Sequence, residues 1–200
     1  MALGAFHGIN PGMGWLFAVA LGMQERRRRA VLRALLPLGA GHALAVAGAI
    51  GAALAIGAAI PLADLRWPIA AMLIGLGVAR FFRHRHPRWV GMRVGMGGLT
   101  VWSFLMATAH GAGLMVVPVF VGMSMAGGHM HHVPAAAGAH AGTALLATGL
   151  HAVSYLAVSA FIALLVFEKV GVGILRRAWF NLDVIWAGAL VATGVMTVMM

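Results

Sequence analysis

The sequence predicts an all-α membrane protein of about six transmembrane helices, arranged as two inverted three-helix halves. Three observations lead there. Apolar residues make up 62% of the 200-residue chain and charged residues 9%, where soluble domains carry about 25% charged residues. The mean hydropathy is +0.95, so the chain has too little polar surface to cover itself in water. Basic residues gather in short clusters between apolar stretches, and the polar residues inside those stretches recur in similar order in the two halves.

The same composition excludes whole classes. With 0 Cys there is no disulfide framework, no thiolate nucleophile and no Cys-ligated zinc. A formal charge of +10 would suggest nucleic acid in a soluble protein. Here its clustering between apolar spans points to membrane topology instead. No G-x-x-x-x-G-K-[ST] stretch is present to cradle a nucleotide phosphate, and no enzymatic constellation is expected.

Taken in order, the spans fall at about 1–23, 34–60, 67–82, 94–126, 141–167 and 178–200. Most reach the roughly 20 residues needed to cross hydrocarbon. In the first, the charges follow the apolar run, the reverse of a signal peptide, so it reads as a retained helix. The second holds His42 as its only strongly polar group. The third is short. The fourth is long and contains Pro118. The fifth carries Thr148, His151, Tyr155 and Ser159 on one helical stripe. The sixth has Asp183 near one end, placed to balance a cation, carry a proton or pair with Arg176 or Arg177.

Loops Gln24 to Arg33, Arg80 to Arg93 and Glu168 to Arg177 together hold every Lys and Arg except Arg66. The positive-inside rule makes these three cytoplasmic and puts both termini outside. A bacterial inner membrane is the expected location. His84 and His86 lie in the second of these loops and read as solvated.

The two halves, 1–93 and 94–200, repeat a pattern. His7-Gly8 followed by Pro11 matches His110-Gly111 followed by Pro118, and Gly41-His42-Ala43 matches Leu150-His151-Ala152. Three spans per half give the halves opposite orientation, as in transporters whose site lies at the repeat interface.

Ionisable side chains at membrane depth face an interior or a water-filled path. His7, His42, His110 and His151 are therefore the leading candidates, either as ligands or as interhelical bonds, because imidazole is the commonest metal ligand. Ser103, Thr148, Tyr155 and Asp183 would line the same path. Pro11 and Pro118 would free the carbonyls of His7 and Leu114, letting His7 and Asn10 present a nitrogen and an oxygen together. Gly4, Gly8 and Gly12 form a ridge for close helix approach. The loop from Gly127 to His140 carries His129, His131 and His132 with Met130, a set able to capture borderline divalent ions.

The stretch Leu3-Gly4-Ala5-Phe6-His7-Gly8-Ile9-Asn10-Pro11-Gly12 resembles the first-helix signature of the nickel/cobalt efflux (NicO) transporters, within the lysine exporter/sulfite exporter superfamily. That family has L-G-x-x-H-G/A-x-x-P-G/D-H, a second His about 35 residues on, which Gly39-Ala40-Gly41-His42 matches, and a His-rich middle loop. The resemblance implies export of a transition-metal ion, with His7, Asn10, Met13 and His42 as ligand positions. Asn10 stands where the family has an acidic residue and Met13 where it has a second His. The site would thus be softer and less charged, which shifts the expectation from nickel or cobalt towards copper or a non-metal solute. No resident cofactor is expected.

Two other readings stand beside transport of a metal cation. One is a non-transporting membrane subunit, with a homo-oligomer or membrane-protein partner, in which His42 and His151 bond structurally or ligate haem. The other is an exporter of a small anion or organic solute.

Overall fold

A computed structural model describes residues 1–57, 64–82, 95–126, 136–170 and 175–199, with side chains at 1–57, 64–82, 95–122, 142–169 and 184–199. The described residues are all-helical, with no strand among them. The helices are α1 (Ala2–Ile9), α2 (Trp15–Glu25), α3 (Arg28–Gly57), α4 (Arg66–Phe82), α5 (Met96–Ala109), α6 (Ala112–Ala126), α7 (Ala136–Leu165) and α8 (Leu175–Met199). A short 3-10 turn at Pro11–Met13 joins α1 to α2, and a π-helical turn at Val166–Val170 extends α7.

Two of the apolar segments are broken, each just beyond a histidine. Between α1 and α2, Asn10 is extended and its side chain caps the turn by accepting the Gly12 N–H at 2.9 Å. Gly14 then takes φ +116, where a methyl group would also strike Leu38. The His7 carbonyl is not freed as expected, because it accepts the Asn10 N–H at 3.2 Å. In the second half the break is not at Pro118, through which α6 continues. It falls at His110 and Gly111, with Gly111 at φ +71 and a bend of 64°. Carbonyls exposed there find side-chain donors, as helix ends require. Arg80 donates to Ala109 at 2.7 Å and the Trp186 indole donates to His110 at 2.9 Å.

The first basic cluster is a tight turn with no true loop. Arg26 adopts φ 52 and caps α2, and α3 starts at Arg28. Arg28, Arg29 and Arg33 therefore ride on α3. Arg28 reaches Glu168 at 3.3 Å, bringing the first and fifth interspan regions to the same end of the bundle. Both side chains are substantially exposed, so the pair contributes little to stability.

Long-range packing joins early helices to late ones. α1 lies on α7, α3 on α5, and α4 on α8. Glycine permits each approach: a methyl group at Gly4 would collide with the His151 carbonyl, and one at Gly41 with the Thr100 carbonyl. At Gly77 it would stand 2.8 Å from the Ala187 carbonyl. Gly4 and Gly8 thus form the expected ridge, whereas Gly12 lies by His110 and not on α7.

The outer surface is apolar. Leu145, Phe161 and Leu36 are 75%, 68% and 70% exposed, and exposed apolar area on this scale marks contact with lipid or another protein. Helices Arg28–Gly57 and Gly142–Lys169 are long and apolar enough to cross a membrane, and the bent α5–α6 pair adds a third if it is one span. A membrane location is consistent with this.

Candidate buried histidine site

α7 supplies one wall. His151, Tyr155 and Ser159 recur every four residues, so they share a face, and all three are buried against α1 and α3. Ser159 donates to the Gly8 carbonyl at 3.4 Å and Tyr155 donates to the Met13 carbonyl at 2.7 Å. These bonds fix α7 to the broken α1–α2 segment. Thr148, expected on the same stripe, is only half-buried.

α3 brings His42 against this wall. Its Nε2 lies 3.0 Å from Nε2 of His151. The two rings are parallel within 3° and their centroids are 5.2 Å apart. The centroid separation exceeds the nitrogen separation by nearly a ring width, so the rings meet edge to edge. One nitrogen's lone pair faces the N–H of the other, in line. Tyr155 covers the face of His42, with centroids 4.0 Å apart and planes 10° apart.

His7, on α1, completes a three-imidazole cluster. Its ring stands at steep angles to His42 and His151, with centroids 5.4 and 4.9 Å away. Its Nδ1–H donates to the Leu3 carbonyl one turn earlier, which leaves the lone pair on Nε2. That Nε2 has no hydrogen-bond partner, and neither has Nδ1 of His42. His7 and His42 are fully buried. Leaving such polar atoms unpaired costs about 1–3 kcal/mol each.

His110 repeats the local arrangement of His7, its Nδ1 donating to Met106 one turn earlier at 2.8 Å. Its ring stands beside Trp186, centroids 5.7 Å apart. Trp186 stands edge-on to His7 as well, at 4.7 Å. The indole of α8 thus adjoins both His110 and the cluster, a position that nothing in an apolar span with several aromatics would single out. Ser103 is buried and donates across to the Leu38 carbonyl at 2.6 Å, tying α5 to α3.

Asn10 and Met13 are buried beside the break. The Asn10 oxygen is engaged with Gly12, and Met13 belongs to the same buried apolar cluster as Leu73, Met115 and Trp186. The side chain of Asp183, and all of His129, His131 and His132, lie outside the described residues. Of the other acids, Glu25 and Asp64 are exposed and Glu168 is at the Arg28 end. Among the described residues no three His, Asp or Glu side chains are grouped so as to hold a metal ion. The cluster is an apolar-walled set of imidazoles, with two of them in a direct bond.

No protein-family model, curated protein or solved structure matches this chain.

Proposed function

We propose that this protein is a membrane transporter of a transition-metal cation, built as six spans in two inverted three-helix halves. The observation that carries the reading is the convergence of His7, His42 and His151 at full or near-full burial, with two ring nitrogens lacking partners. Ionisable groups at such depth are costly and mark ion or substrate paths. Neutral imidazole lone pairs are what a dehydrated metal ion needs on its way across.

The packing supports inverted repeats. An exchange of the halves maps the α1–α7 contact onto α5–α3 and leaves α4–α8 as a pair. It also maps His7 onto His110, each bonded to the carbonyl one turn earlier and each just before a break. Irregular backbone at membrane depth is tolerated where it is buried or lines a cavity. The Arg28–Glu168 pair agrees with the charge-derived topology, both termini outside in a bacterial inner membrane. The resemblance of the first helix to nickel/cobalt efflux transporters points to the same class. The outer His129, His131 and His132 would hand ions over.

Binding of Ni, Co, Cu and Zn ions to the detergent-purified protein tests this reading, with His7→Ala/His42→Ala as comparison. Stoichiometric binding lost in the double variant supports it, and binding unaffected by the variant contradicts it. A second reading, a structural subunit, is favoured by the direct His42–His151 bond. Haem does not fit that pair: a macrocycle would have to pass between two rings already in contact, beside Tyr155 and His7. Flux of a small anion with no metal binding would favour the third class.

A further inference from the structure

Resting on the transport reading, we infer that the His42–His151 pair is a linear two-coordinate site for a monovalent soft cation, Cu(I) or Ag(I). The in-line, edge-to-edge meeting of the two Nε2 atoms carries this. Ligands to a tetrahedral ion converge at an angle on a point beside the line joining them, and an octahedral ion with two ligands in line needs four more donors around it. Here both lone-pair directions run along the line itself. A d10 monovalent ion with two nitrogen ligands 180° apart takes that geometry.

The number and charge of the donors agree. Zinc in structural sites takes four ligands, and first-row divalent ions generally take four to six. Among the described residues no three His or acid side chains are grouped so as to hold a metal ion, although the His7 ring stands beside the pair. No carboxylate among the described side chains adjoins the pair, so the ion's whole charge would be buried with neutral ligands. Born desolvation rises with the square of the charge, making a divalent ion roughly fourfold more costly than a monovalent one. Softness follows too: imidazole suits copper, and the neighbouring Tyr155 and Ser159 hydroxyls are engaged with the Met13 and Gly8 carbonyls.

Insertion requires a small movement. Metal–nitrogen bonds of about 2.0 Å place the two nitrogens about 4 Å apart, so the present gap opens by about 1 Å. His42 slides within its own plane along the Tyr155 face it already stacks on. Protons balance without release. If the shared proton sits on His42 Nε2, it moves to His42 Nδ1, which has no partner holding it. If it sits on His151 Nε2, the same tautomeric shift occurs within that ring. Each imidazole then offers one lone pair to the ion and keeps one N–H.

The test uses the full chain in detergent with Ag(I) as a redox-inert probe, and Cu(I) under reductant against a chromogenic chelator. X-ray absorption at the silver edge should show two nitrogen neighbours and no sulfur. His42→Asn and His151→Asn should each weaken Ag(I) binding by more than the roughly 10–100-fold that an outer-shell change costs. A sulfur neighbour would overturn the site in favour of the methionines, and a shell of three or more nitrogens would overturn the linear geometry. Ni(II) or Co(II) bound through the histidines without Ag(I) overturns this inference and leaves the transport reading standing. No binding of any of these ions removes both. The absorption spectrum is read on the unaltered protein, so the result does not depend on the variants folding.

Discussion

Tyr155 holds His42 face to face, centroids 4.0 Å apart, while its hydroxyl is bonded to the Met13 carbonyl at 2.7 Å. One side chain of α7 thus sets both the ring plane of His42 and the distance to the broken α1–α2 segment. Tyr155→Phe keeps the stack and leaves a buried carbonyl unpaired, so it should destabilise the protein by about 1–3 kcal/mol while retaining metal binding. Tyr155→Leu should weaken metal binding as well. Thermal unfolding and metal titration of the two variants separate these effects; equal binding in both would deny Tyr155 a positioning role.

The bend between α5 and α6 belongs to Gly111 and not to Pro118. Gly111→Ala should be destabilised by about 1–2 kcal/mol, the cost of holding a side chain in the left-handed region. Pro118→Ala should leave the bend unchanged. Spin labels at Val101 and Val119, both exposed, report the angle in a chain that has 0 Cys. A straightened helix in Pro118→Ala would reverse the assignment.

Trp186 links α8 to the break by donating to His110 while stacking on Phe6, centroids 4.9 Å apart. Trp186→Phe preserves the stack and removes the donor. The expected loss is about 1–3 kcal/mol, read as a lower melting temperature in detergent. A melting temperature equal to that of the parent protein would mean that the His110 carbonyl finds another donor.

Much of this was legible in the residues themselves. The six apolar stretches correspond to helical stretches, and the four-residue spacing of His151, Tyr155 and Ser159 marked a buried face. The motif pairs His7 with His110 and His42 with His151 as equivalent positions, and the structure sets His42 against His151. What periodicity does not convey is the aromatic neighbour that His110 and His7 share: Trp186 carries no polar signature in an apolar span, yet it adjoins both. Proline is also an imperfect marker of a break. A glycine next to His110, with side-chain donors from α4 and α8 on the exposed carbonyls, sets the second break. α3 starts at Arg28, inside the stretch that its run of arginines marks as a loop, because arginine is a good helix former.

Topology can be read directly, since introduced cysteines are the only thiols. Arg27→Cys and Glu168→Cys should react with an impermeant maleimide from the cytoplasmic side, and Asp64→Cys from the outer side, as the charge asymmetry requires. Labelling of Arg27→Cys and Glu168→Cys from opposite faces would break the six-span topology.

The most direct test of the central claim is metal flux into proteoliposomes containing the purified protein, compared with His42→Asn and His151→Asn variants that keep their helical content. Cation flux is expected in the parent protein and should fall to the level of empty liposomes in both variants. Flux undiminished in variants that lack either histidine would contradict it.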